Sequence, residues 1–473
     1  MTRQTLCTLG AAVLITASAA LSAPANPAKP NVIFILIDDL GKEWVSCYGA
    51  QAIQTPRIDD LAATGMRFEN AYCMPQCTPS RVTLLTGTYP FRHGWTNHWD
   101  VPRWGSGAHF DAKLNTSLGH VMRDAGYATC AAGKWQIDDF RVEPHAMRAA
   151  GFDESCMWTG GEGGNIKPSD ERYWDPYVHI NGEPSRTLKG QFGPDVFNGF
   201  IVDFMKRHRD EPMFVYYPMV LTHTPFTTTP DEPEAKGKVD KHKAMVRYAD
   251  KMIGKIVDAL DELKIRDNTI VIVTTDNGTT PAITGRRLDH DVRGAKARMV
   301  EAGTAIPFVV NCPGKVPAGV VTPALVDFSD VLPTCAELGG AKLPEGREID
   351  GQSFAPLILG KKKDSPRGWI LSMGGHPAGF RDGRVVPAQP YDDRVVRDGR
   401  WKLWIGENRE PEKLFDMQAD PWEQQNQLGS YDDDARLARQ RLLGLIRSLP
   451  EKDAAPQYTP NPPQQWDKYK FKP

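Results

Sequence analysis

The sequence predicts an α/β protein whose large, mostly parallel mixed sheet lies between helices, followed by a small C-terminal α+β subdomain with an antiparallel sheet. Continuous apolar runs at residues 31–37, 212–221 and 269–275 are typical of strands buried on both faces of a sheet. Amphipathic patterns at residues 54–66 and 240–263 predict helices that alternate with those strands. Near the C-terminus, an Asp-Gly turn between two apolar runs predicts an antiparallel hairpin.

The remaining elements follow from the same two patterns. Short strands are expected at residues 68–72, 127–132 and 306–311, and further helices at residues 118–125, 198–206, 329–338 and 436–446. Residues 145–189 are rich in glycine, tryptophan and charge, and we expect loops and short strands there. A polar linker that begins at residue 361 divides a domain at residues 30–360 from the C-terminal subdomain at residues 361–473.

Length, charge and cysteine content limit the class of protein. The chain has 473 residues, which is enough for a large core and a smaller domain. Its formal net charge of -2 argues against a nucleic-acid partner, so any anion site must be local. The eight cysteines include no Cys-x-x-Cys pair, which disfavours a thiolate zinc site, and their spacing does not fix a disulfide pattern.

The N-terminus, residues 1–25, has the pattern of a secretory signal peptide. Arg3 precedes an apolar stretch at residues 6–20, and the small residues Ser22 and Ala23 follow it. This stretch is shorter than the roughly 20 residues that a membrane span needs. We therefore expect an exported protein, periplasmic or secreted, without a membrane span.

Two predicted strands end in oxygen-bearing side chains. Asp38 and Asp39 follow the first buried strand, and Asp276 and Asn277 follow the strand at residues 269–275. Ligands bind outside the carboxyl ends of strands in open α/β sheets, and like charges so close together require a cation. An all-oxygen set of ligands suits Ca²⁺, with Mg²⁺ as the alternative, rather than zinc.

The segment at residues 77–87 brings a nucleophile and a cation close together. Cys77 is followed by Pro79, which suits the first turn of a helix, and by Arg81, whose planar fork fits sulfate or phosphate oxygens. A helix N-terminus beside Cys77 would favour an anion there. For the pentapeptide alone a capped turn explains the sequence equally well, and the apolar run after Arg81 fits either a helix or another buried element.

The segment resembles the sulfatase signature Cys-x-Pro-Ser-Arg-x-x-x-x-Thr-Gly, and every fixed position is present. The resemblance implies the alkaline-phosphatase-like α/β/α fold. It also implies that a formylglycine-generating enzyme oxidises Cys77 to formylglycine, whose hydrate is the nucleophile. In the family the modified residue also joins the metal ligands, so the implied metal set is Asp38, Asp39, Cys77, Asp276 and Asn277.

Other family motifs recur along the chain. Lys134, His223 and Lys296 match residues that contact sulfate in sulfatases, and the resemblance gives them and Arg81 catalytic roles. His223 is the expected proton donor to the leaving oxygen, with Lys296 as the second choice. Gln136 stands where sulfatases have a histidine that assists turnover of the intermediate. Glutamine can hydrogen-bond to substrate but cannot exchange a proton near neutral pH. Arg293 is a weaker candidate for the same site.

We therefore expect a sulfuric ester hydrolase, similar to arylsulfatases, that acts on a sulfated carbohydrate or an aryl sulfate. Trp158, Trp174, Arg172 and Lys167 could contact a sulfated sugar, although ordinary loop packing explains each of them as well. The sequence leaves the natural substrate open.

Two alternatives remain at this level. A phosphoesterase of the same fold generally uses two metals and an Asp-His pair where this chain has Asp276-Asn277; the pair Asp289-His290 is the one exception, in an expected loop. The second alternative is a decayed sulfoglycan-binding protein, for which Gln136 would mark the loss of turnover. Metal content tests the first alternative, and turnover of an aryl sulfate tests the second.

Overall fold

The computed structural model describes residues 29–97, 108–158, 160, 167–376, 379–382, 384–462 and 464. The predicted signal peptide, residues 1–25, lies outside the described residues. No helix in the described part of the chain is long and apolar enough to cross a membrane. The seven cysteines of that part all carry free thiols.

The first two thirds of the chain build one large mixed sheet and one separate hairpin. The strands are β1 (Asn31–Ile37), β2 (Met66–Tyr72), β3 (Ala128–Lys134), β4 (Glu154–Trp158), β5 (Tyr177–Ile180), β6 (Arg186–Thr187), β7 (Met213–Pro218), β8 (Thr269–Thr275), β9 (Thr284–Arg287), β10 (His290–Arg293), β11 (Ala305–Ile306), β12 (Phe308–Asn311) and β13 (Val320–Asp327). Strands β4, β3, β7, β1 and β8 lie side by side and are all parallel, and β12 joins β8 in the antiparallel sense. The predicted α/β fold is thereby confirmed.

Eleven helices accompany these strands in the described residues. They are α1 (Pro56–Ala63), α2 (Cys77–Thr86), α3 (Pro90–His93), α4 (Leu118–Asp124), α5 (Ala146–Ala149), α6 (Gly193–Arg207), α7 (Gly237–Glu262), α8 (Glu301–Thr304), α9 (Val331–Gly339), α10 (Ala355–Ile358) and α11 (Asp433–Ser448). Helices α1, α6 and α7 cover one face of the large sheet, and α2, α4, α9 and α10 cover the other.

The position of β1 in the middle of the sheet explains why its sequence is apolar without interruption. Val32, Phe34 and Leu36 belong to the core on the α2 side, whereas Ile33, Ile35 and Ile37 belong to the core on the α7 side. Successive strand residues point to opposite faces, so a strand with helices on both faces buries every side chain. Because β1 is packed on both faces, the residues that follow its carboxyl end are held in place by the surrounding core.

The C-terminal part forms the predicted small antiparallel sheet. Its strands are β14 (Ile370–Met373), β15 (Gly379–Arg381), β16 (Arg384–Val386), β17 (Arg394–Arg397), β18 (Trp401–Ile405) and β19 (Pro411–Asp416). Strands β14, β17, β18 and β19 pair in that order, β15 and β16 form a separate hairpin, and α11 packs on the four-stranded sheet. The turn between β17 and β18 is the predicted hairpin. The domain boundary after residue 360 stays a prediction.

Two expectations need correction. The strand expected at residues 306–311 is divided into β11 and β12 at Pro307, which has no N–H to donate to a ladder. Asp289 and His290 were both expected in a loop; Asp289 does lie in the turn of the β9–β10 hairpin, whereas His290 begins strand β10.

Candidate active site

The acidic residues predicted to bind metal do converge at the carboxyl ends of β1 and β8. The two strands are parallel neighbours with Ile37 opposite Thr275, so the residues that follow leave the sheet at the same edge. The Asp39 amide donates to Asp276 Oδ1 at 3.1 Å, and Asn277 Nδ2 donates to Asp39 Oδ1 at 2.8 Å. Together with Asp38, these side chains are at most 2% exposed.

Two oxygen atoms of this group have no hydrogen-bond partner among the described residues. They are Asp38 Oδ1 and Asn277 Oδ1, and both are buried. Buried oxygens without a donor are costly unless a cation or water satisfies them. Burial, followed by the charge of Asp38, raises the pKa of Asp276 to about 7. The donor set therefore fits a hard divalent cation such as Ca²⁺ or Mg²⁺.

Cys77 is the first residue of α2, beside this acidic group. The helix begins after Gln76, which makes no side-chain cap, and ends at Gly87 in the left-handed conformation with φ 70°. The unbonded N–H groups of its first turn and its dipole favour an anion bound beside Cys77. A Cys77 thiolate would raise the pKa of Lys296 and Arg81, so the thiol lies within electrostatic reach of both.

Arg81 lies one helical turn after Cys77 and ties α2 to the strand ends. Its Nε and NH2 donate to Asp276 Oδ2 at 3.1 and 2.7 Å, and its NH1 donates to the Lys134 carbonyl at 2.9 Å. Burial opposes the charge of this guanidinium, but Asp276 and Asp38 nevertheless raise its pKa. Arg81 therefore stays charged although it is 1% exposed.

The two predicted lysines flank the same carboxylates. Lys134 ends β3, and its Nζ donates to Asp38 Oδ2 at 2.7 Å. Lys296 Nζ lies 2.6 and 2.8 Å from the two carboxylate oxygens of Asp39. The Ala297 amide donates to the Pro75 carbonyl at 2.7 Å, which attaches the Lys296 segment to the turn before α2. Burial would lower the pKa of Lys296, but Asp39 overrides this effect and raises it.

His223 follows β7, and its ring faces the acidic group. Its Nε2 lies 3.7 Å from Asp39 Oδ2, while its Nδ1 lies 2.6 Å from the Thr224 carbonyl oxygen. Since that carbonyl can only accept, Nδ1 carries a hydrogen. Burial, followed by Lys296 and Lys134, holds the pKa of His223 well below its ordinary value. An anion in the site would counteract the two lysines and favour the protonated ring.

Gln136 lies in the left-handed region with φ 71° and is 8% exposed. Its Oε1 is buried and has no hydrogen-bond partner among the described residues. Two positions earlier, Lys134 contacts Asp38, so the glutamine lies on the segment that leaves the site. Its amide can accept or donate a hydrogen bond there, but it cannot supply a proton.

Three candidates named from sequence lie elsewhere. Arg293 is exposed and donates to the Pro281 carbonyl at 3.2 Å, so it does not reach the acidic group. Asp289 accepts a hydrogen bond from Gln51 at 3.0 Å, and the His290 ring lies 4.7 Å from that of Trp422. The pair at the hairpin tip therefore adds no second metal ligand to the strand ends.

Sequence reasoning missed two positioning residues and one contact. Thr279 accepts from the Gly41 amide at 2.9 Å and donates to Glu43, which links the loops after β1 and β8. Arg172, considered only as a possible sugar contact, brings its NH1 to 3.1 Å from His223 Nδ1. No local pattern in the sequence signals either arrangement, because both depend on how distant loops meet.

Comparisons with known proteins agree with this geometry. The chain matches the sulfatase family model over residues 30–341, and a model described as N-sulphoglucosamine sulphohydrolase, C-terminal, over residues 294–443. It is 30% identical to the N-acetylgalactosamine-6-O-sulfatase of Bacteroides thetaiotaomicron, with 85% of this chain and 90% of that protein covered. It is 31% identical to human N-acetylgalactosamine-6-sulfatase, with 76% and 73% covered.

A solved structure has a fold similar to that of this chain. The crystal structure of Ps i-CgsB in complex with k-i-k-neocarrahexaose matches with a TM-score of 0.73 and 26% identity. That match covers 91% of this chain and 95% of the other.

Proposed function

The chain belongs to the sulfatase family and is a sulfuric ester hydrolase, and on that premise we propose that it desulfates a sulfated carbohydrate through a formylglycine at position 77 and one divalent metal. The observation that carries the proposal is the position of Cys77 at the N-terminus of α2, beside three buried carboxylates and the cations Arg81, Lys134 and Lys296. Such a group of charges suits a tetrahedral anion.

Two of the comparisons support the substrate class. The Bacteroides thetaiotaomicron relative is named for a sulfated amino sugar, and the Ps i-CgsB structure contains a saccharide. An aryl sulfate would satisfy the same charges, so it serves as a practical assay substrate. The sugar and the position of its sulfate group are set by residues outside this group.

Asp38, Asp39, Asp276 and the amide oxygen of Asn277 would hold the metal, with Ca²⁺ preferred over Mg²⁺. When bound, the ion neutralises developing charge on a sulfate oxygen and lowers the pKa of a neighbouring hydroxyl. Two buried oxygens that lack hydrogen-bond donors among the described residues, Asp38 Oδ1 and Asn277 Oδ1, are available as ligands of this ion. Lys134 and Lys296, which pair with Asp38 and Asp39, balance part of the carboxylate charge.

The modification at position 77 needs a formylglycine-generating enzyme as a partner. The hydrate of formylglycine would supply two hydroxyls on one carbon: one would attack sulfur, and the other would lose its proton when sulfate is expelled. The unmodified Cys77 thiol has no second hydroxyl and could not expel sulfate in this way. The rest of the chain positions the ester: Lys134 and Lys296 bring positive charge to its oxygens. His223 Nε2 donates a proton to the leaving oxygen, because the anion favours the protonated ring and Nδ1–H stays on the Thr224 carbonyl.

The proposal also includes export to the periplasm or the medium, on the pattern of residues 1–25. Export of the natural protein is tested by its N-terminal sequence after fractionation of the producing cells. A mature N-terminus near residue 26 in the exported fraction is expected. An intact Met1 in the cytoplasmic fraction would contradict it.

Mass spectrometry of the tryptic peptide at residues 68–81, from protein purified from its own source, tests the nucleophile. We expect an aldehyde at position 77 that a hydrazine traps, together with turnover of an aryl sulfate by the same preparation. An intact Cys77 thiol in most molecules, without turnover, would remove the nucleophile and favour a sulfoglycan-binding protein.

A further inference from the structure

Arg172 is a buried arginine whose guanidinium contacts His223 of the candidate active site. It precedes β5 in the segment that follows β4, and it is 7% exposed. Its guanidinium carbon lies 3.9 Å from the centre of the Trp158 ring, a cation–π distance. The Trp158 indole N–H in turn donates to the Ser169 carbonyl at 2.9 Å, which fixes the ring under the guanidinium.

Neither Nε nor NH1 of this guanidinium has an acceptor among the described residues. Its NH1 lies 3.1 Å from His223 Nδ1, but that nitrogen carries a hydrogen for the Thr224 carbonyl, so the two groups present N–H to N–H. The Nε atom is buried and has no hydrogen-bond partner. Arg172 also takes part in no ion pair of the described structure, and a buried donor without an acceptor is costly.

Other buried arginines of the chain are provided with acceptors. Arg81 pairs with Asp276, Arg367 with Asp330, and Arg394 with Asp453. Arg266 meets no carboxylate but donates to the Thr269 carbonyl and to Asn311. Arg172 is different because a ring face and an N–H are its nearest partners. A buried cation left in this state is expected to receive its counter-charge from a ligand.

The neighbouring residues fix Arg172 against the His223 turn. The Tyr173 hydroxyl donates to the Val220 carbonyl at 2.8 Å and to the His223 carbonyl, so the two segments are joined next to the arginine. A donor fork held in this way loses little side-chain entropy when an anion binds. Arg172 contacts the Nδ1 edge of the same His223 ring whose Nε2 serves the leaving oxygen in the proposed function.

We propose that Arg172 binds a second anionic group of the substrate, a carboxylate or a second sulfate, carried by the alcohol that leaves from the scissile ester. This inference rests on the proposed function. The substrate class is thereby narrowed to sulfate esters with two negative groups near one another. A planar guanidinium forms paired hydrogen bonds to either group.

The test compares three aryl sulfates with the full-length, formylglycine-bearing protein at low ionic strength. These are 4-nitrophenyl sulfate, the same ester with a carboxylate ortho to the sulfate, and the same ester with a second sulfate ortho to the first. The readout is the ratio of kcat/KM for each dianion to kcat/KM for the monoanion. We expect the wild-type ratio to exceed one for at least one dianion, and Arg172→Gln to lower that ratio about 10- to 100-fold.

Matched variants separate this role from a structural one. Arg172→Lys keeps the charge without the planar fork and should give an intermediate ratio. Lys206→Gln removes an exposed charge from helix α6, where Lys206 pairs with Asp203, and should leave the ratio unchanged. The dianion whose ratio falls in Arg172→Gln identifies the anion as a carboxylate or a sulfate.

Three results would overturn the inference. Wild-type turnover without preference for either dianion, or an equal loss on all three esters in Arg172→Gln, refutes the role of Arg172 and leaves the proposed function standing. If the wild-type protein hydrolyses none of the three esters, the proposed function fails and the role of Arg172 fails with it.

Discussion

Arg81 and Asp276 form a buried ion pair that joins the helix bearing Cys77 to the end of strand β8. Two guanidinium nitrogens donate to a single carboxylate oxygen, Asp276 Oδ2, at 2.7 and 3.1 Å. Both side chains are at most 1% exposed. The pair therefore fixes the distance between helix α2 and the acidic group, and it also supplies counter-charge to one carboxylate of that group.

Replacing Arg81 with glutamine should damage stability and activity together. The change leaves the Asp276 carboxylate buried beside Asp38 without its hydrogen-bonded cation. Removing one partner of a buried ion pair costs about 3–5 kcal/mol. We expect a loss of unfolding free energy of that size in chelator-treated protein, measured by urea denaturation. The kcat/KM for 4-nitrophenyl sulfate should fall at least about 100-fold.

Arg247→Gln is the matched control for this prediction. Arg247 pairs with Glu232 on the surface, where the two side chains are 44% and 33% exposed. An exposed pair contributes only about 0–1 kcal/mol, so both stability and kcat/KM should stay close to wild type. Equal effects of the two substitutions would show that the buried pair has no special role.

Removal of divalent metal should inactivate and destabilise the protein. Asp38, Asp39 and Asp276 crowd three carboxylates together, and the oxygens Asp38 Oδ1 and Asn277 Oδ1 lack donors. At a free ion concentration of 100 times the Kd, binding of the ion adds about 2.7 kcal/mol to the free energy of unfolding. We expect chelation to lower the Tm and abolish aryl sulfate turnover, and Ca²⁺ to restore both more fully than Mg²⁺.

Two variants locate the ion. Asn277→Leu removes one of the oxygens without a donor and should weaken the Ca²⁺-dependent rise in Tm. Asp289→Asn removes a carboxylate at the tip of the β9–β10 hairpin, where Asp289 contacts Gln51, and should leave that rise unchanged. If the hairpin variant lost its response to metal, the two-metal arrangement of a phosphoesterase would have to be reconsidered.

A second charged cluster, formed by His109, Asp138 and Glu143, predicts a pH dependence of stability. His109 Nδ1 lies 2.8 Å from Glu143 Oε2, and its Nε2 donates to the Thr459 carbonyl at 2.7 Å. Burial opposes the imidazolium, but Asp138 and Glu143 raise the pKa of His109 to about 10. A raised histidine pKa stabilises the folded state fully below the unfolded pKa near 6.5, and that contribution is lost as pH rises towards 10.

Urea denaturation from pH 6 to pH 10 measures this contribution. His109→Gln should be less stable than wild type at pH 6, and the difference should shrink as pH rises because only the wild type loses its imidazolium. The exposed His145 is the control, since His145→Gln should show a constant, small difference across the range. A His109→Gln difference that grows with pH would contradict the assignment.

Those parts of the site that depend on local sequence patterns could be predicted. Buried parallel strands have uninterrupted apolar runs, so the acids that end β1 and β8 were expected at one edge of the sheet. Cys77 and Arg81 became candidates through the resemblance of residues 77–87 to the sulfatase signature, and the helix that begins at Cys77 places them one turn apart on one face.

Contacts between distant loops could not be predicted in this way. Arg172 and His223 are 51 residues apart, and no periodic pattern in the segment after β4 signals that the two meet. Arg293 was wrongly expected near the site because it is close to Lys296 in sequence. It lies instead on the β9–β10 hairpin and donates to the Pro281 carbonyl. Both outcomes depend on tertiary packing of irregular segments, which composition and spacing do not encode.

Gln136 gives the last prediction, because it occupies the place of a proton-exchanging histidine without being able to titrate. Gln136→His adds a titratable imidazole beside Lys134 at a buried position, where burial and the lysine charge lower its pKa below the ordinary value near 6.5, so the pH profile of kcat should gain a new limb below about pH 6.5. Gln136→Asn retains an amide on a shorter side chain and should change kcat without changing the shape of the profile. Aryl sulfate turnover under saturating substrate measures both variants. Identical pH profiles for wild type and Gln136→His would mean that position 136 is remote from the proton path, and the buried Oε1 without a partner would then have only a structural role.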